Sequence, residues 1–85
     1  MIRAQERPLA QTRPGGRYRI VAVQDQRCAE HLLRMGLVEG TIVDCVRNLY
    51  RGPVVVRCGR ARMAVGRRIA EQVLVRDVSY ASAGG

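Results

Sequence analysis

The feature that most constrains this chain is the stretch of residues 35–46, where a helical pattern passes through two glycines and becomes an alternating strand. Gly36 can take the left-handed conformation that ends a helix. After the second glycine the side chains alternate, so an outward Asp44 turns Val43 and Cys45 inward. The stretch predicts a short helix that leads directly into a strand of a small β domain.

The helix itself is predicted over residues 26–35. Asp25 precedes it, placed for its carboxylate to accept hydrogen bonds from the free N–H groups of the first turn. At about 100° per residue, the helix has an apolar arc opposite a polar arc. The apolar arc holds Met35, Cys28, Leu32, Ala29 and Leu33, and the polar arc holds Glu30, Arg34, Arg27 and His31. One face of the helix therefore packs on a sheet.

Short apolar or alternating runs predict five strands, at residues 18–23, 41–48, 54–58, 61–65 and 73–78. Gly59-Arg60 forms a tight hairpin turn, and residues 66–72 form a helical turn. The predicted fold is mainly β, a small and partly open five-stranded barrel with one short α-helix after the first strand. Its domain spans residues 9–78, between a flexible N-terminal segment, 1–8, and a disordered C-terminal tail, 79–85.

The net charge of +8 comes from fifteen arginines without any lysine. Such a charge fits an anionic partner, such as RNA or a membrane surface, but also a simple compositional bias, because the arginines are spread along the chain. The three cysteines have no C-x-x-C spacing, which predicts free thiols in a reducing compartment. No apolar run approaches the roughly 18 residues that span a bilayer. We therefore expect a cytoplasmic protein without a transmembrane segment of its own.

Several short motifs occur in an order and spacing that resemble those of a known family. They are Leu9, Pro14-Gly15-Gly16, Ile20-Val21, residues 32–37, Glu39-Gly40, Val43 with Cys45, Gly52-Pro53-Val54, and Ala70 with Val73 and Val75. Over residues 9–78 the chain resembles the FeoA family (ferrous iron transport protein A), whose domain is also similar to the C-terminal module of iron- and manganese-dependent repressors. It departs from the family at Glu39, where a proline commonly precedes the glycine, and at Cys45, which stands in place of a valine.

The resemblance implies an SH3-like barrel and a small cytoplasmic, non-enzymatic accessory protein of ferrous iron transport. Its implied partner is a FeoB-type permease, contacted on the cytoplasmic side. No cofactor is implied. Two alternatives stay open: a basic SH3-like barrel that binds nucleic acid, and a metal-sensing module of the regulator type.

The partner-binding surface is predicted at the end of the helix, where apolar side chains lead into the turn. Its residues are Leu33, Arg34, Leu37 and Val38. Most residues of this kind belong to a core, so the alternative is that the segment is purely structural.

Cys28 and His31 are weak candidates for a transition-metal site, since a thiolate and an imidazole suit zinc or iron. They fall on opposite arcs of the helix, which favours a buried thiol beside an exposed histidine. Cys45 or Cys58 would complete a site only if the inward faces met. Cysteine–histidine catalysis lacks any second sign, such as an oxyanion site or a cleft, so we expect no enzyme.

Arginines concentrate near the predicted hairpin and the helical turn that follows it. This predicted basic patch consists of Arg57, Arg60, Arg62, Arg67 and Arg68. It could meet phosphate groups of RNA, anionic lipid headgroups or acidic residues of a protein, or be an ordinary solvated face. The hairpin region has no aromatic residue on which a base could stack, and Tyr50 in the preceding loop is the nearest one. This argues against RNA as the partner.

Overall fold

The computed structural model describes residues 5–78 of the 85-residue chain. The strands within that range are β1 (Glu6–Pro8), β2 (Arg17–Val23), β3 (Ile42–Asn48), β4 (Val54–Cys58), β5 (Ala61–Val65) and β6 (Val73–Asp77). Two α-helices, α1 (Gln26–Arg34) and α2 (Arg67–Ala70), and a 3-10 helix at Leu9–Gln11 connect them. All neighbouring strands pair antiparallel in the order β1-β6-β2-β3-β4-β5. The predicted mainly β fold is confirmed, and the helix predicted after the first strand, at residues 18–23, is α1, which follows β2.

The first strand corrects the predicted count of five strands, since the structure has six within residues 5–78. Residues 6–8, assigned to the flexible segment 1–8 in the sequence analysis, pair with β6, Glu6 lying opposite Arg76. Three residues are too few to show a period of two. Pro8 also argues against a strand in sequence reasoning, although an edge strand accommodates it because no partner requires its missing N–H. The predicted tail, 79–85, lies outside the described residues.

One aliphatic core lies on the inner face of the sheet, closed on one side by α1. Its buried members are Leu9, Tyr18, Ile20, Leu32, Leu37, Val43, Cys45, Val54, Val56, Val65, Ala70, Val73 and Val75. The predicted inward direction of Val43 and Cys45 is confirmed, since each is 2% exposed or less. Register shifts in β2 and β3 mark irregularities of the kind that bend a sheet around a core.

The predicted hairpin turn is confirmed, because Cys58 pairs with Ala61 and leaves Gly59-Arg60 as the two-residue turn. The helical turn before the last strand is α2. No helix within residues 5–78 is long and apolar enough to cross a bilayer.

Candidate docking surface

The connection between α1 and β3, which we call the joint (residues 33–41), is fixed by the backbone. The Leu37 N–H donates to the Leu32 carbonyl at 2.9 Å, and the Gly36 N–H donates to the Leu33 carbonyl at 3.0 Å. Gly36 has a φ of +79°. These bonds form a Schellman motif, whose apolar contact pair is Leu32 and Leu37. Both leucines are 1% exposed or less, so the helix end is anchored in the core.

The second half of the joint is a turn tied to β2. The Thr41 N–H donates to the Val38 carbonyl at 3.0 Å, and the Gly40 N–H donates to the Ile20 carbonyl at 2.8 Å. Gly40 has a φ of +90° at the third position of this turn, where a type II turn needs a residue of positive φ. The Thr41 hydroxyl also accepts a hydrogen bond from the Val38 N–H at 3.2 Å. The joint is therefore held at both ends.

Three of the four predicted partner-binding residues are exposed at the joint, and the fourth is not. Leu33 is 62% exposed and Val38 is 43% exposed, with Arg34 exposed beside them. Leu37 is 1% exposed, which corrects its place in the predicted surface. Its position in the Schellman motif folds its side chain back onto Leu32, a consequence that the helical period alone does not show.

A second pair of exposed apolar side chains lies at the other end of β3 and was not predicted as a site. Leu49 is 56% exposed and Tyr50 is 86% exposed. The Arg51 guanidinium lies 5.9 Å from the centre of the Tyr50 ring. Two adjacent apolar residues inside a turn-rich loop were the sequence signal that could have revealed this pair.

Arg67 corrects the predicted basic patch, because its guanidinium supports this same loop. Its Nε donates to the Gly52 carbonyl at 3.0 Å, and its Nη1 donates to the Ala10 carbonyl at 3.2 Å. Its Nη2 donates to Asn48 Oδ1 and to the Leu49 carbonyl. A guanidinium used in this way joins the 3-10 segment to the β3–β4 loop and leaves little capacity for an anionic partner.

The direction of β5 separates the remaining arginines of the predicted patch. Arg57, Arg60 and Arg62 are exposed at the hairpin end of β4 and β5. Arg68 is exposed on α2, which follows the far end of β5, about 15 Å away at ~3.3 Å per residue. The five arginines therefore do not form one patch.

A row of charged residues, which we call the charge ladder, crosses four strands near that hairpin. Arg17 lies opposite Asp44, Asp44 opposite Arg57, and Arg57 opposite Arg62. Arg17 Nε is 2.9 Å from Asp44 Oδ1, and Arg57 Nη2 is 3.4 Å from Asp44 Oδ2. The hydrogen bond from Arg17, aided by Arg57, holds the pKa of Asp44 below its ordinary value. A cleft of about 520 Å³ lies beside the ladder.

The two metal candidates, Cys28 and His31, differ in exposure. His31 is exposed, whereas Cys28 is half-buried. Partial burial, and then the hydrogen bond and charge of Asp25, raise the pKa of the Cys28 thiol and disfavour a thiolate. Asp25 is the N-cap residue but its side chain makes no capping bond, which corrects the predicted cap. In the part of the chain that is described, no three His, Cys, Asp or Glu side chains are placed to share a metal ion.

This chain is similar to a protein family and to several solved structures. The profile of the family described as FeoA domain matches residues 7–77. A crystal structure of an iron uptake regulatory protein (FeoA) is 29% identical, with a TM-score of 0.78 over 86% of this chain and 97% of that chain. The sequence search among curated proteins found no match.

Two further structures support the predicted fold. FeoA from Stenotrophomonas maltophilia, complexed with zinc and described as a unique procaryotic SH3 domain protein, is 25% identical, with a TM-score of 0.70 over 81% of this chain and 88% of that chain. A manganese-dependent transcriptional repressor is 16% identical, with a TM-score of 0.77 over 86% of this chain and 42% of that chain, a likeness that shows the fold alone. The SH3-like fold predicted from the sequence is confirmed.

Proposed function

Because this chain belongs to the FeoA domain family, we propose that it is an accessory protein of ferrous iron transport that acts by contact with a FeoB-type permease on the cytoplasmic side. The family match over residues 7–77 and the likeness to solved FeoA proteins support the transport role. The Stenotrophomonas maltophilia relative is itself described as possibly acting as a ferrous iron transport activating factor. The role proposed here is contact and not catalysis.

The observation behind the proposal is an exposed apolar pair on a rigid frame. Leu33 and Val38 project from the joint, whose backbone is fixed by the Schellman motif and by the bond from Gly40 to Ile20. Complete burial of an exposed leucine side chain contributes about 1.5–3 kcal/mol to the free energy of binding. Because the frame is already ordered, little conformational entropy is lost when a partner covers it.

Arg34 adds a polar contact at the edge of the same surface. It is exposed in the last turn of α1, next to Leu33. An arginine beside a leucine provides the combination of an apolar centre and a charged rim that protein interfaces use. A partner surface that combines an apolar pocket with a carboxylate would be complementary to it.

The test is a calorimetric titration of the purified cytoplasmic domain of a FeoB-type permease with this protein. Leu33→Asp places a charge in the proposed contact and should weaken binding by about tenfold or more. Leu49→Asp is the matched control, because Leu49 is similarly exposed at the other end of β3. The affinity of this variant for the permease domain should stay within about twofold of the wild type. Circular dichroism and the melting temperature should be nearly unchanged for both variants.

Two results would contradict the proposal. Equal loss of affinity in both variants, or a larger loss in Leu49→Asp, would exclude the joint as the contact surface. Absence of permease binding together with RNA retention that falls steeply with salt would instead support the nucleic-acid alternative, because phosphate contacts release counterions.

A further inference from the structure

The charge ladder alternates in sign across three strands and then fails to alternate. Residues directly opposite each other in an antiparallel pair project from the same face and interact. The order along the ladder is Arg17, Asp44, Arg57 and Arg62. The charges are therefore positive, negative and positive on β2, β3 and β4, and β5 adds a second positive charge beside that of β4. The position next to Arg62 is where an anion would offset the charge of this arginine pair.

The two arginines meet at the closest kind of cross-strand position. In a two-residue hairpin the closing pair, here Cys58 and Ala61, exchanges both hydrogen bonds, so the next pair is a non-hydrogen-bonded one with Cα atoms about 4.5 Å apart. That next pair is Arg57 and Arg62, both exposed. Like charges placed directly opposite each other are destabilising.

The carboxylates of the described residues relieve only part of this repulsion. Asp44 pairs with Arg57 at 3.4 Å, but it also holds Arg17 at the shorter distance of 2.9 Å. Among residues 5–78, no carboxylate forms an ion pair with Arg62. The outer end of the ladder therefore has a net positive charge without a neutralising partner in this part of the chain.

The backbone beside Arg62 offers hydrogen-bonding groups as well as charge. β5 is the terminal strand of the sheet order and pairs only with β4 among the described strands. By the alternation set at the hairpin, the N–H and C=O groups of Arg62 and Ala64 point away from β4, and both residues are exposed. An exposed edge of this kind can pair with another extended chain.

We propose that the β5 edge binds an extended acidic segment of a partner protein, which adds a strand to the sheet and places a carboxylate against Arg57 and Arg62. Charge complementarity selects an acidic occupant, and the outward backbone groups of β5 select an extended polypeptide over a lipid headgroup. The incoming carboxylate offsets the positive charge that Arg57 and Arg62 place at the outer end of the ladder. This surface uses other residues than the joint, so the proposal does not depend on the permease as partner.

The probe is a nine-residue peptide that alternates glutamate with threonine and valine, titrated into the ¹⁵N-labelled full chain. Binding should shift the resonances of β5 and protect the Arg62 and Ala64 amides from hydrogen exchange. Arg62→Glu should lower the affinity for the peptide by about tenfold or more. Arg68→Glu makes the same charge change on α2 and should leave the affinity within about twofold of the wild type. Arg62→Glu should fold at least as well as the wild type, because it restores the alternation.

Two control peptides separate strand addition from attraction by charge. A peptide with glutamine for every glutamate tests the carboxylates, and one that keeps the glutamates but has proline at alternate positions tests the backbone pairing. Both should bind much more weakly than the parent peptide. Equal binding of the proline peptide, equal affinity of the two arginine variants, or binding to anionic phospholipid vesicles without binding of the peptide would overturn the proposal.

Discussion

The two ends of β3 expose similar apolar side chains but are held by different means. At the start of the strand, the joint is fixed by backbone hydrogen bonds and by the buried contact of Leu32 with Leu37. At the end, the loop that presents Leu49 and Tyr50 has one backbone bond of its own, from the Gly52 N–H to the Leu49 carbonyl at 3.1 Å. It is attached to the rest of the fold by two side chains, those of Arg67 and Asn48. A surface framed by backbone can change its exposed residues without losing its shape, whereas the loop depends on side chains for its attachment.

This difference decides which exposed pair is the better docking surface. Leu33 and Val38 can be altered while the Schellman motif stays intact, because none of its bonds uses their side chains. The attachment of the loop instead depends on the Arg67 side chain, which extends from α2 to the Gly52 carbonyl. Substitutions at the two ends of β3 should therefore differ in their effects on stability and on partner binding.

Leu37→Ala should destabilise the fold by about 3–5 kcal/mol, because it removes a fully buried side chain and leaves a cavity beside Leu32. The free energy of unfolding, measured in urea, checks this value. If Leu37 instead belonged to the docking surface, the variant would unfold like the wild type and bind its partner less tightly, and the joint would not be a buried frame.

Arg67→Ala should lower the free energy of unfolding by about 2 kcal/mol, because the Gly52, Ala10 and Leu49 carbonyls lose the guanidinium as a hydrogen-bond donor. Amide exchange should accelerate in the loop that holds Leu49 and Tyr50, and stay slow at the joint. Arg67→Lys is the control, because it keeps the charge but lacks the planar fork, and should recover only part of the loss. Equal acceleration at both ends of β3 would remove the contrast between them.

The smallest effect concerns Asp44 and the pH. Because Arg17 and Arg57 hold the pKa of Asp44 below its ordinary value in the folded protein, its contribution to stability is present above about pH 4 and is lost as the pH falls through the folded pKa. Asp44→Asn should therefore be less stable than the wild type by up to about 1 kcal/mol near pH 7. Thermal melts across the acidic range should show the melting temperatures of the wild type and Asp44→Asn converging as the pH falls. A difference that stays constant down to the lowest pH would show that the ladder contributes nothing through this charge.

Most of the fold was readable from the sequence, because it rests on local patterns. The alternation around Asp44 placed Val43 and Cys45 in the core, and Gly36 marked the end of α1. Strand β1 was missed because three residues with a proline show no period, and it forms only because β6 supplies its partner.

The sites were less predictable, because they depend on where side chains go after the chain folds. Leu33 belongs to the apolar arc of the helix but is 62% exposed, and Leu37 was assigned to the surface although the Schellman motif buries it. Arg67 resembled its charged neighbours in the sequence, and only the fold brings it to the β3–β4 loop. The pairing of Arg57 with Arg62 follows from the hairpin register, which the Gly59-Arg60 turn could have supplied.

Whether this protein acts through the joint can be decided by mapping the partner's footprint on it. The ¹⁵N-labelled chain is titrated with the cytoplasmic domain of a FeoB-type permease, and amide shifts are followed residue by residue. We expect the largest changes at Leu33, Arg34 and Val38, with the amide shifts of Leu49 and Tyr50 unchanged. A footprint centred on Leu49 and Tyr50, with the joint unaffected, would exclude the joint as the contact surface.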